Sequence, residues 1–235
     1  MTMRICQTFV AGLLCLAPLS LLATDMTERI KACEACHGRQ GQAGPDGYYP
    51  RLAGKPAGYL YNQMQNFSQG RRQYTMMRRM MAPLSPQYQR EMAEHFANLK
   101  VPYPAPSLAA HASTEQMARG KQLALQGDPS LNLPACNSCH GQNLMGTPPH
   151  VPGLLGLPSA YLGAQLSAWT LGNRSTVAPD CMNEIAKTLS TRDAAAVTTW
   201  LASQSIPTHT TPHPAAPPPL NLRCGSAPEL HGALK

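Results

Sequence analysis

Two stretches, Cys33-Glu34-Ala35-Cys36-His37 and Cys136-Asn137-Ser138-Cys139-His140, decide how this chain of 235 residues is read. Cysteines three apart face the same side of a helical turn, so both sulfurs can form thioethers with the vinyl groups of one porphyrin. The histidine, four residues beyond the first cysteine, then points its imidazole at the iron from that side. This is the attachment pattern of a c-type haem, and it occurs twice. A zinc site wants its two cysteine pairs close together in one module, and a thioredoxin-like dithiol wants strands around it. Here the pairs stand 103 residues apart, nothing alternates as strands, and the histidine recurs in both.

Working outward from the motifs, the chain after the first histidine can be laid over the chain after the second with an almost constant offset. Pro50-Arg51-Leu52-Ala53-Gly54 answers Pro152-Gly153-Leu154-Leu155-Gly156, and Tyr59-Leu60 answers Tyr161-Leu162. Gln63, Phe67, Gly70 and Leu84-Ser85 answer Gln165, Trp169, Gly172 and Leu189-Ser190. Apolar residues at helical spacing run through 57–67 and 159–169, and again through 87–99 and 193–201. The last helix of each repeat is announced by an N-cap, Ser85 with Pro86 at the first helical position and Ser190 with Asp193 three residues on. Each repeat therefore reads as a haem-bearing turn followed by two helices.

A six-coordinate electron-transfer haem needs a second axial ligand, and a thioether sulfur favours the ferrous state. In the second repeat Met145 follows His140 too closely to reach the opposite haem face, whereas Met182 sits in the expected loop before the capped helix. Met182 precedes Leu189 by seven residues, and the same count back from Leu84 selects Met77 out of Met76, Met77, Met80 and Met81. The expected axial pairs are His37 with Met77 and His140 with Met182, with Met76 and Met80 as alternatives for the first haem.

The order of haem motif, proline-leucine-glycine segment, tyrosine helix, methionine loop and capped last helix resembles the diheme cytochrome c4 family over roughly residues 25–205. The resemblance implies an all-α fold of two tandem class I cytochrome c domains related by a pseudo-twofold axis, each wrapped around one covalent haem. It implies that the Pro50 and Pro152 carbonyls accept the Nδ1 hydrogens of His37 and His140, and that the haem propionates lie near the domain interface. A 6% aromatic content fits domains whose core is completed by porphyrin.

The remaining segments set the boundaries. Arg4, the apolar stretch 9–22 and Ala23 read as a secretory signal over 1–23, which takes Cys6 and Cys15 with it and predicts a periplasmic protein, with peripheral membrane association left open. Val101-Pro102-Tyr103-Pro104-Ala105-Pro106 reads as a stiff connector, dividing domain 1 (24–105) from domain 2 (106–206). Residues 207–235, rich in proline, read as an extended or disordered tail. Cys181 and Cys224 are the two cysteines left over, and in an oxidising compartment a disulfide between them would pin the tail over the second methionine segment. None of His95, His111, His150, His209, His213 and His231 is assigned a role.

The signal removed, eighteen of nineteen basic residues face all twelve acidic ones. Arg71-Arg72 and Arg78-Arg79 form no arginine-lysine tract with interleaved aromatics, so no nucleic-acid partner is expected. The expected function is electron transfer between redox proteins, first of all from the quinol-oxidising chain to a haem-copper terminal oxidase. The alternative is the electron-acceptor subunit of a periplasmic dehydrogenase. A diheme peroxidase would need one open iron position, and a methionine for each iron argues against that enzyme.

Overall fold

The computed structural model describes residues 25–44, 47–106, 112–207 and 222–231. The expected signal and most of the proline-rich tail lie outside these residues.

The first half runs α1 (Met26–Arg29), α2 (Lys31–His37), α3 (Ala57–Ser68), α4 (Thr75–Met81) and α5 (Pro86–Asn98). The second runs α6 (Thr114–Leu125), α7 (Cys136–His140), α8 (Ser159–Thr170), α9 (Cys181–Thr188) and α10 (Thr191–Ser203). A two-residue ladder, β1 (Gly146–Thr147) against β2 (Val151–Pro152), closes the loop that follows the second haem motif.

The caps read from sequence are in place. Ser85 Oγ accepts from Tyr88 N and Ser190 Oγ from Asp193 N, while the Ser190 hydroxyl donates to the Asp193 carboxylate at 2.9 Å. The two motif helices, α2 and α7, both stop at a glycine with positive φ, Gly38 at 74° and Gly141 at 85°. At Gly38 a Cβ would fall 2.5 Å from the Ala43 carbonyl oxygen, so the turn that follows the motif histidine requires glycine.

The fold departs from the sequence reading in three places. Met77 and Met182 were expected in loops, but they lie in the helices α4 and α9. The local reason in the second half is Asp180, which accepts from Asn183 N and starts a helix too short to show periodicity. A further helix, α6, precedes the second motif, capped by Ser113. Residues 222–231 are packed, not extended: Cys224, Ala227 and Leu230 are buried among apolar neighbours. The few apolar residues of the tail are thus concentrated where they can be covered.

Helix α10 lies against both α6 and α8. Its closest approach is at Gly120, where a Cβ would sit 2.3 Å from the Ala196 carbonyl oxygen and 2.7 Å from Trp200 Cβ. The core there is Leu123, Leu133, Leu155, Leu162, Val197, Trp200 and Leu201, each such side chain contributing about 1.5–3 kcal/mol on burial. In the first half α5 packs on α3 around Ile30, Leu60, Ala93 and Phe96.

The halves meet along a local twofold. Arg72 and Arg174 form an antiparallel bridge, flanked by Gln73 N donating to Asn173 O and Ser175 N donating to Arg71 O, both at 2.7 Å. Residues 71, 72 and 73 are the repeat equivalents of 173, 174 and 175, so each of these two bonds is the image of the other. The connector is tied down by Arg51, which donates to the carbonyls of Ala53, Val101 and Pro102 and lies 4.0 Å over the Tyr103 ring.

Candidate haem sites

A cavity of about 640 Å³ extends through both halves. Its wall includes Cys33, Cys36 and His37 from the first motif and Cys136, Cys139 and His140 from the second. The four motif cysteines are half-buried, and none of them is taken up by a disulfide.

Both motif histidines are buried at the ends of α2 and α7. His37 Nδ1 lies 2.8 Å from the Pro50 carbonyl oxygen and His140 Nδ1 lies 2.7 Å from that of Pro152. With Nδ1 donating to a carbonyl, Nε2 is the nitrogen left for a metal. Burial lowers both imidazoles, His140 to about 4, which keeps them in the neutral form that ligation requires.

The same cavity is lined by methionines, Met76, Met77, Met80 and Met81 from the first half and Met182 from the second. Met77 and Met80, three apart on α4, share a half-buried face, whereas Met76 is 55% exposed. Met145 is buried in the second core and does not line the cavity.

Between the motifs stands a cluster that sequence reasoning missed. Arg72 donates to Gln63 at 3.0 Å and to Gln165 at 2.6 Å, and Arg174 donates to Gln165 at 2.8 Å and Gln63 at 3.1 Å. Arg72 stacks over Phe67 and Arg174 over Trp169, again as equivalents. Arg174 is 5% exposed, and burial together with Arg72 lowers it to about 10. Nearby Lys55, 4% exposed, crosses from the first half to donate to the Gly153 carbonyl at 2.7 Å, and burial lowers it to about 7. The glutamine and aromatic matches were visible in the repeat, and Arg72 and Arg174 share their offset; pairing them across the interface needed the third dimension.

The residues present fit two haems. Each motif offers two sulfurs and a buried neutral imidazole with Nε2 free to ligate, and each half adds methionine sulfurs to the same cavity lining. The Arg174 Nε is buried with no hydrogen-bond partner, and among the described residues the partners of the Arg72 and Arg174 guanidiniums are neutral, the amides of Gln63 and Gln165 and the hydroxyls of Tyr161 and Tyr59. Buried cations of this kind need an anion, which the carboxylates of a haem supply.

No family model matches the chain. A thiosulfate dehydrogenase electron acceptor of Thiomonas intermedia is 38% identical over 178 residues, covering 74% of this chain and 79% of that protein. Cytochrome c4 of Stutzerimonas stutzeri is 32% identical over 186 residues, covering 74% of this chain and 84% of the relative. The chain belongs to the diheme cytochrome c4 family.

Among solved structures, reduced recombinant cytochrome c4 from Pseudomonas stutzeri superposes with a TM-score of 0.65 at 28% identity, over 76% of this chain and 96% of that one. A thiosulfate dehydrogenase from Marichromatium purpuratum gives 0.66 at 30% identity over 74% of this chain, which spans only 36% of that longer protein. As a diheme cytochrome of this family, the chain holds two covalent c-type haems and is an electron carrier. Haem iron, cycling between ferric and ferrous states, stores one electron per site. The protein's part is to attach, ligate and neutralise. Among the described residues no helix is long and apolar enough to cross a membrane.

Proposed function

We propose that this cytochrome accepts electrons from a thiosulfate-oxidising dehydrogenase in the periplasm and passes them to a further redox protein. The observation that carries this reading is the identity gradient: 38% to two thiosulfate dehydrogenase electron acceptors against 30–34% to four proteins named cytochrome c4, the 34% match covering only 46% of the chain. The ligand pairs His37 with Met77 and His140 with Met182, attachment through Cys33, Cys36, Cys136 and Cys139, and the division near residue 105 are part of the proposal. So is export by cleavage of 1–23.

The chain's residues support storage of electrons in preference to chemistry on a substrate. Both histidines are buried and held by carbonyls, and methionines from each half line the cavity, which supports a closed six-coordinate iron. The test is stopped-flow mixing of the ferric, haem-loaded protein with thiosulfate and the thiosulfate dehydrogenase of the same organism. Both haems should be reduced only when enzyme and thiosulfate are present together. Reduction by a quinol-oxidising complex, with none through the dehydrogenase, would replace this reading with the terminal-oxidase route.

A further inference from the structure

The two haem sites differ in what covers them, and residues 222–231 make the difference. Cys224 is joined to Cys181, the residue before Met182. From that anchor the segment spreads over the second site, with Leu222, Ala227 and Leu230 packing against Cys139, Val151 and Met182. Leu222, Cys224, Ser226, Ala227 and Leu230 all line the cavity itself. Polar contacts tie the segment to both halves. Gly225 N donates to Pro179 O at 2.8 Å, Asn62 Nδ2 on α3 donates to Ser226 O at 3.1 Å, and Glu229 pairs with His150 at 3.0 Å.

The repeat shows what the first half has at the same places. The counterpart of Cys181 is Met76, 55% exposed where Cys181 is 9% exposed. The counterpart of the Glu229-bound His150 is Tyr48, 61% exposed. Met76 and Tyr48 both line the cavity, so among the described residues the first site opens to solvent where the second is covered. Beside this opening, α4 carries exposed Arg78 and Arg79 and no carboxylate.

We infer that residues 222–231 are a strap that covers the second haem site, so that electrons enter and leave through the first, at a rim of Tyr48 and Met76 flanked by Arg78 and Arg79. The partner that fits this rim is a redox protein presenting an acidic face around its own cofactor, since an apolar centre ringed by guanidiniums gains both contact and steering from such a surface. Electrons reach the second haem through the first. The inference rests on the two-haem carrier alone and is independent of which enzyme donates.

Nuclear magnetic resonance of the ferric, haem-loaded full chain with a neutral gadolinium chelate tests the strap. Haem-methyl signals of the first haem should broaden several-fold more than those of the second. Cys224→Ser, with the remaining Cys181 alkylated, and separately Leu230→Asp, should raise broadening at the second haem towards that of the first. Equal broadening in the native protein, or no change in both folded variants, overturns the strap. An acidic blue-copper protein then serves as the probe of the rim: Arg78→Glu should slow electron exchange with it several-fold and weaken the salt dependence. An unchanged rate overturns the assignment of the port.

Discussion

The first half builds its core on Ile30, Leu60, Ala93 and Phe96, with α5 lying on α3, whereas the second packs α10 against both α6 and α8 over a broader set that includes Leu123 and Trp200. The motif, the histidine's carbonyl partner and the capped last helix are the same in both. What differs is the support around them. Among the described residues the first half ties its start to α5 through Arg29, which pairs with Glu91 at 2.6 Å and stacks over Tyr88, while the second uses a full helix and a glycine contact. The chemistry of attachment is thus conserved between the halves, while burial and access around each site were set independently.

The largest expected effect separates the sites by their sulfurs. Met182→Ala should abolish the near-infrared sulfur-to-iron absorption of one haem and let its ferrous form bind carbon monoxide, leaving the other haem unchanged. Met77→Ala should do the same for the first haem. If Met80→Ala does so instead, the equivalence of the two methionine segments is broken.

Next in size is the packing of the second half. Gly120→Ala would drive a Cβ into the Ala196 carbonyl and should cost about 1–3 kcal/mol in denaturant unfolding of the haem-loaded protein. A loss confined to the second half would sharpen the contrast in how the two cores are held.

The shared cluster should show the opposite behaviour, acting on both halves together. Arg174→Gln removes a buried cation whose charge favours the ferrous state, so redox titration should find both potentials lowered, on the order of 60 mV if the guanidinium is worth about 1.4 kcal/mol to the reduced form. A shift at one haem only would mean that the cluster is less symmetric in its effect than in its geometry.

The smallest effect is electrostatic and belongs to the second half. Arg119 bridges Asp128 at 2.8 Å and Asp193 at 2.7 Å, and with Ser130 and Ser190 holds both carboxyls below the usual aspartate value of 3.8. Depressed folded values mean that this contribution is fully present above about pH 3.8 and is lost as pH falls through the lower folded values. Arg119→Ala should therefore lower the denaturation midpoint slightly at neutral pH, with the gap to the parent closing below pH 3.8. The pairs are half-buried, with side chains 13–29% exposed, so salt should shrink the effect only in part.

Local rules were legible where one short stretch carries them. The motifs, the caps at Ser85 and Ser190 and the helices α3, α5, α8 and α10 follow from spacing and capping chemistry alone. The helices α4 and α9 were not, because seven or eight residues give too little periodicity to distinguish a helix from a loop. The packing of 222–231 was legible in part. The Cys181–Cys224 bond beside Met182 is the one expected from the two leftover cysteines, whereas the burial of Ala227 and Leu230 was not, because so few apolar residues show no pattern until the groups around Met182 give them somewhere to bury.

The sequence by itself determined that two haem motifs are present, each with its own histidine, and that two similar units carry them, because thioether spacing and repeat offset are properties of the chain. Only the tertiary structure decided that Arg72 and Arg174 meet between the halves, that Lys55 serves the opposite half, and that, among the described residues, Ala227 and Leu230 bury beside Met182. Those facts depend on which surfaces of the two units face each other. An exposed arginine and a buried arginine without a carboxylate look the same in a sequence, and differ only once the solvent has been excluded around one of them.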